Sequence, residues 1–110
     1  MQLTLMADYY CYPLWRREAD GVRENIDPAT LDISVELQQQ LAAWDDQYQA
    51  IYRPDDPVAS AFTSGEAEAR FVKQGYQLLQ ALQRQLPAVE WRYFDVARNC
   101  ELPAPASTAQ

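Results

Sequence analysis

Two amphipathic stretches, each followed by a proline, constrain the fold of this chain more than any other feature. The first begins after Ser34, a favourable N-cap, and ends near Tyr52, because Pro54 cannot continue a helix. Its apolar residues are spaced alternately by four and three, so they share one helical face: Leu37, Leu41, Trp44, Tyr48 and Ile51. We predict a helix here with one buried face.

The second stretch begins at Thr63-Ser64-Gly65-Glu66, which fits a capping box with Thr63 as the N-cap. We predict a helix that runs to about Leu86, where Pro87 stops it. Its buried stripe is Phe71, Leu78, Leu79, Leu82 and Leu86. Gly75, in its middle, lowers helix stability by about 1 kcal/mol relative to Ala. It either lets another element approach closely or is simply tolerated.

Residues 2–7 and 89–96 alternate in the manner of strands. Residues 8–33 show no period, and we predict a long structured loop there with one extended piece around residues 10–12. Two strands alone are marginally stable, so we expect them to pair with each other and with a piece of this loop. The predicted fold is α+β: a small two-layer sandwich of two helices on a sheet of two or three strands. Residues 1–100 form the predicted domain, and residues 101–110 a disordered tail.

The charge of the chain restricts its partners. Nine basic and sixteen acidic residues give a net charge of −7, and there is no histidine. The usual general base and the commonest metal ligand are therefore missing. The charge disfavours nucleic acid and anionic membranes and favours a basic protein, although it also serves solubility alone. With no signal peptide and no run of about 18 apolar residues, we expect a cytoplasmic protein.

Catalysis has little support in the sequence. Cys11 and Cys100 are far apart, without a zinc-binding spacing, and we interpret both as reduced thiols. The paired carboxylates Asp45-Asp46 and Asp55-Asp56 could serve a carboxylate-based or magnesium-dependent enzyme. Neighbouring side chains on a helix diverge by about 100°, however, so an acidic, solvated helix end is the simpler interpretation. We predict no catalytic residue, no metal and no cofactor.

Protein binding has more support. Tyrosine and tryptophan are favoured where interfaces concentrate their energy. Four aromatic residues lie between positions 9 and 15 without a period, so they cannot all point inward; some could still pack as a minor core over the helices. We predict a partner-binding surface that combines acids with aromatic anchors. Its residues are Asp45, Asp46, Asp55, Asp56, Tyr10, Tyr12, Trp15 and Tyr52.

A resemblance supports this prediction. The segment Leu3-Thr4-Leu5-Met6-Ala7-Asp8-Tyr9-Tyr10-Cys11-Tyr12-Pro13-Leu14-Trp15, with Asn25-Ile26-Asp27-Pro28 and Asp55-Asp56-Pro57, resembles a group of small acidic bacterial proteins of unassigned activity. Some proteins of this size and charge are immunity proteins of polymorphic or contact-dependent toxins. The resemblance covers about residues 1–96 and implies a cytoplasmic, antitoxin-like inhibitor. Toxins of this kind are often basic nucleases, which suits an acidic inhibitor.

The leading hypothesis is therefore a non-enzymatic protein, a monomer or weak dimer, that blocks a basic partner such as a toxin nuclease. A small carboxylate-based or metal-dependent enzyme is the first alternative. An accessory domain that dimerises through the aromatic loop is the second.

Overall fold

A computed structural model of the chain describes residues 1–56 and 61–105. The described residues form an α+β fold of two layers, in which two helices cover one face of a five-stranded sheet. The elements are β1 (Gln2–Leu5), β2 (Leu14–Arg17), β3 (Arg23–Ile26), a 3-10 turn (Pro28–Thr30), α1 (Val35–Gln49), α2 (Gly65–Gln85), β4 (Glu90–Asp95) and β5 (Cys100–Pro103). The predicted fold class is confirmed, but the expected two or three strands understated the sheet.

The sheet has the order β3-β2-β1-β4-β5, with the first strand of the chain at its centre. β1 runs parallel to β4, with Leu3 opposite Trp91 and Leu5 opposite Tyr93, and the other neighbours are antiparallel. The expectation that the predicted strands at residues 2–7 and 89–96 pair with each other is thus confirmed. The buried side chains of both strands lie on the face that the helices cover.

The predicted long loop is the main error in the sequence-based fold. Residues 8–33 contain β2 and β3, which add a hairpin to the edge of β1, whereas the extended piece was expected at residues 10–12. The pattern gave little sign of either strand. In β2 Leu14 is fully buried, but the next three residues are only half-buried or exposed, and β3 is polar except for Ile26.

The predicted tail begins too early. Residues 100–103 form the edge strand β5, in which Glu101 lies opposite Phe94 and Pro103 opposite Arg92. Proline has no backbone N–H to donate, and it is tolerated in β5 because an edge strand pairs on one side only. Of the predicted tail, residues 106–110 lie outside the described residues.

The helix boundaries largely follow their caps. The Ser34 hydroxyl accepts the backbone N–H of Leu37 at 3.1 Å, as predicted, although α1 ends at Gln49 rather than near Tyr52. The N-cap of α2 is Ser64 and not Thr63, since the Ser64 hydroxyl accepts the backbone N–H of Ala67 at 3.0 Å. The shift of one residue removes the reciprocal Glu66 contact that a capping box requires.

Gly75 is where the helices and the sheet come closest. A Cβ at this position would lie 2.1 Å from Tyr93 Oη and 2.8 Å from Trp44 Cζ2. The Trp44 indole stacks on Phe71 at 4.4 Å between ring centroids and donates its N–H to the Phe71 carbonyl at 2.9 Å. The expectation that Gly75 allows a close approach is confirmed, and this packing fixes α2 against both α1 and β4.

Candidate functional site

The tyrosines of the β1–β2 connection meet the C-terminal end of α1. The Tyr9 ring stacks on Tyr48 with centroids 4.7 Å apart and lies 4.6 Å from Tyr52. Tyr10 contacts Tyr52 edge-on at 5.3 Å. Two of the predicted anchors, Tyr10 and Tyr52, are therefore in contact. The half-buried Tyr9 and Tyr48 support them from below.

One amide side chain, Gln49, holds the Tyr10 segment against α1. Its Oε1 accepts the backbone N–H of Tyr10 at 2.9 Å. Its Nε2 donates to the Asp8 carbonyl at 2.8 Å and to Asp45 Oδ1 at 3.2 Å. Tyr10 has φ of 59°, a left-handed conformation that residues with a Cβ seldom adopt, and the residue is 81% exposed. Gln49 thus stabilises a strained backbone that directs an aromatic ring into solvent.

A second amide, Asn25, holds the backbone of Tyr12 through hydrogen bonds. Asn25 Oδ1 accepts the backbone N–H of Tyr12 at 2.9 Å, and Asn25 Nδ2 donates to the carbonyls of Tyr12 and Leu14 at 2.7 and 3.1 Å. The Tyr12 side chain is 48% exposed. Neither amide was identified from the sequence, because nothing local to Asn25 or Gln49 indicates that the chain returns to it from another element.

Two clefts flank these residues. One, of about 420 Å³, is lined by Tyr10, Cys11, Tyr12, Asn25, Asp45 and Gln49. The other, of about 260 Å³, lies on the far side of Tyr12 and Asp45 and includes Asp27 and Asp46 among its lining residues. Four predicted site residues, Tyr10, Tyr12, Asp45 and Asp46, therefore lie together, and Tyr52 joins them through Tyr10. These five residues are called the tyrosine–aspartate surface below.

The electrostatics of the first cleft are negative. Burial raises the pKa of the half-buried Asp45, the hydrogen bond from Gln49 partly opposes this, and the neighbouring Asp46 adds to it. Burial also raises the pKa of Cys11, with further contributions from Asp8 and Asp45. The Cys11 thiol therefore stays protonated at neutral pH, which is the opposite of what a nucleophilic cysteine requires. Cys11 and Cys100 are both free.

Three predicted site residues lie elsewhere. Trp15 follows the buried Leu14 in β2, so its side chain is on the sheet face away from the helices, where its indole N–H donates to the Met6 carbonyl at 3.1 Å. Asp55 and Asp56 are exposed in the connection after α1, three and four residues beyond Tyr52. Both are close to the tyrosine–aspartate surface along the chain, but neither lines its clefts.

The sheet face away from the helices carries an ionic network that no sequence pattern indicated. Glu101 accepts from Arg92 Nε at 2.9 Å, from Arg23 at 3.0 Å and from the Thr4 hydroxyl at 3.0 Å. Burial opposes ionisation of Glu101, but these hydrogen bonds and the two arginine charges outweigh it and lower its pKa. The network joins β1, β3, β4 and β5, and we interpret it as structural.

The excess of acidic over basic residues lies outside the strands of the sheet. The strands contain four arginines and four carboxylates, so the whole net charge of −7 comes from the helices and connections. Within residues 1–56 and 61–105, no three side chains of His, Cys, Asp or Glu form a group that could hold a metal ion. No helix within these described residues has the length and apolar character needed to span a membrane.

These features define a small acidic α+β protein that presents exposed tyrosines, fixed by amide side chains, beside carboxylates at one end of its first helix. The family model described as Serratia CdiI immunity protein-like matches residues 1–96, so the chain belongs to that family. The resemblance to immunity proteins of contact-dependent inhibition is thereby confirmed, and membership supports the role of a toxin inhibitor. Such families are generally non-enzymatic. No curated protein matches the chain.

Proposed function

We propose that this chain is a cytoplasmic immunity protein that binds its cognate toxin through the tyrosine–aspartate surface and masks the toxin's active surface. The observation that carries the proposal is Tyr10. A tyrosine that is 81% exposed on a left-handed backbone contributes little to the core, yet the Gln49 amide accepts its backbone N–H and holds it there. Strain maintained by a dedicated side chain is typical of functional positions.

The rest of the surface fits a basic toxin, such as a nuclease. Tyrosine rings supply contact area at low entropic cost, and they concentrate binding energy when a partner excludes water from them. Because Gln49 and Asn25 fix the Tyr10 and Tyr12 backbones in the free protein, less entropy is lost on binding. The net charge of −7 accelerates encounter with a cationic surface. In this proposal Asp55 and Asp56 attract the toxin without entering the contact, and Trp15 lies outside it.

The first test measures the contribution of the ring. The probe is the cognate toxin domain, identified by its co-purification with this chain or as the C-terminal domain of a large secreted protein encoded beside it. Tyr10→Ala should weaken its binding by about 30-fold or more, the loss expected of an interface hot spot. The matched control is Val35→Ala, since Val35 is also apolar and is 66% exposed at the start of α1. Equal affinities for the two variants would contradict the proposal.

The second test measures charge. The double variant Asp46→Lys, Asp56→Lys should slow association and flatten its dependence on ionic strength. The control, Asp32→Lys with Glu36→Lys, changes the net charge equally at exposed positions around the opposite, N-terminal end of α1. If both pairs reduce the association rate alike, only the total charge matters, and the positions of Asp46 and Asp56 have no special part in association.

A further inference from the structure

The cleft between Tyr10 and Tyr12 has a composition that indicates its ligand. Two exposed rings from one loop line it, together with the half-buried Asp45 carboxylate. Its volume of about 420 Å³ falls in the range of pockets that take small groups. Aromatic faces beside a carboxylate suit a cation, since the rings attract positive charge and the carboxylate neutralises it.

Among the residues that the structure describes, Asp45 forms no ion pair. The charged group that acts on it is another carboxylate, Asp46. Its Oδ1 accepts from the neutral Gln49 amide. Removing a carboxylate from water without a counter-ion is unfavourable, so an incoming cation would gain more from Asp45 than from a fully exposed acid.

We propose that this cleft binds one arginine side chain of the cognate toxin, whose guanidinium packs against Tyr10 and Tyr12 and pairs with Asp45. The inference rests on the proposed function and adds the chemical group that the surface recognises. Arginine fits better than lysine for two reasons. Its planar guanidinium stacks on aromatic rings, and its fork of N–H groups can donate to a carboxylate and to neighbouring amide oxygens at once. Arginine is also enriched among interface hot spots.

The direct test uses small probes and the isolated protein. N-acetylarginine amide is titrated into ¹⁵N-labelled protein at constant chloride, with the neutral citrulline analogue and the lysine analogue as controls. We expect saturable shifts at the backbone amides of Tyr10, Tyr12 and Gln49, with a dissociation constant of about 1–50 mM, in the range of a few weak contacts. Citrulline should give none, and lysine should bind more weakly. No saturable response, or equal responses to arginine and citrulline or to arginine and lysine, would overturn the assignment.

A substitution then connects the cleft to the toxin. Asp45→Asn keeps an oxygen that can accept from Gln49, so the loop should keep its structure, but it removes the charge. It should weaken arginine-amide and toxin binding by about 10-fold or more, as expected for loss of a charge-assisted hydrogen bond, whereas Glu36→Gln, at an exposed position in the first turn of α1, should change either affinity by less than about 3-fold.

The outcomes separate the two proposals. If the toxin binds the wild type and Asp45→Asn equally well, the arginine assignment is wrong and the inhibitor function stands. If the wild-type protein does not bind the toxin at all, the proposed function fails, and the toxin-directed part of this inference fails with it.

Discussion

The Gln49 amide offers the sharpest test of preorganisation in this surface. Gln49→Ala removes three hydrogen bonds, to the Tyr10 N–H, the Asp8 carbonyl and the Asp45 carboxylate. None of the lost atoms belongs to the buried core, so the sheet and helices should remain intact. What should change is the conformation of the segment that carries Tyr10.

The size of the effect follows from the left-handed backbone. A residue with a Cβ in that region is unfavourable by roughly 1–2 kcal/mol, which is comparable to the net contribution of one or two hydrogen bonds. Without Gln49 that strain is uncompensated, and the native conformation of Tyr10 should fall to about 3–15% of the population. Apparent affinity falls in proportion to this fraction, so toxin binding should weaken by about 6- to 30-fold.

The assay combines binding with hydrogen exchange. Backbone amides of residues 8–12 should exchange faster in Gln49→Ala, while those of β1 and β4 should stay protected. The matched control is Gln47→Ala, which removes the same side chain from the same helix and one hydrogen bond, to Gln74 at 3.0 Å; it should bind within about twofold of wild type. Unchanged affinity together with faster exchange in Gln49→Ala would refute the argument, because a disordered loop would then bind as well as an ordered one.

Three further predictions concern stability, each measured by urea denaturation. Gly75→Ala should lower the free energy of unfolding by about 1–3 kcal/mol despite its better helix propensity, because the added methyl meets Tyr93; Gly65→Ala, where a Cβ meets nothing within 4 Å, should be neutral or stabilising. Glu101→Gln should destabilise the protein by about 1–3 kcal/mol at neutral pH. Because the folded pKa of Glu101 is lowered, its contribution is complete above the ordinary value near 4.5 and is lost as pH falls, so the two proteins should converge in acid. For Asp45, whose folded pKa is raised, Asp45→Asn should stabilise the free protein at pH 7, with the gain vanishing below pH 4; a destabilised variant would contradict the inferred burial.

The helices were predictable because their signals are local. The spacing of Leu37, Leu41 and Trp44 defines one face within a few turns, and prolines mark the ends. Residue types also alternate along β1 and β4, because one face of each strand packs against the helices, although Thr4 on the other face of β1 is buried too. In α1, α2, β1 and β4, the residue pattern within each element is enough to predict its secondary structure.

The β2–β3 hairpin and β5 lack such local sequence patterns. β3 reads Arg-Glu-Asn-Ile and β5 reads Cys-Glu-Leu-Pro, and each is a polar or proline-containing edge with a neighbour on one side only. Such segments become strands because β2 and β4 offer unpaired backbone groups beside them, and a strand's propensity depends strongly on that context. Polar edges also discourage pairing with other molecules.

The site was predictable in composition and not in arrangement. The abundance of tyrosine and aspartate predicted the residue types, and the exposure of Tyr10 and Tyr12 fits that prediction. The contacts of Gln49 and Asn25 span long separations in the chain, and an isolated glutamine or asparagine looks like any other polar surface residue. The separation of Trp15 from the other aromatics follows from its place in β2, a strand the pattern did not reveal.

The parallel pairing of β1 with β4 has a consequence for biosynthesis. The central strand comprises residues 2–5, but the neighbour that completes its hydrogen bonding lies at residues 90–95. During translation β1 and β2 can associate early, while the other side of β1 stays open until almost the entire domain has emerged from the ribosome. Contacts of such long range slow folding and leave an unpaired strand exposed in the meantime. A nascent chain halted before residue 90 should therefore depend on chaperones to remain soluble.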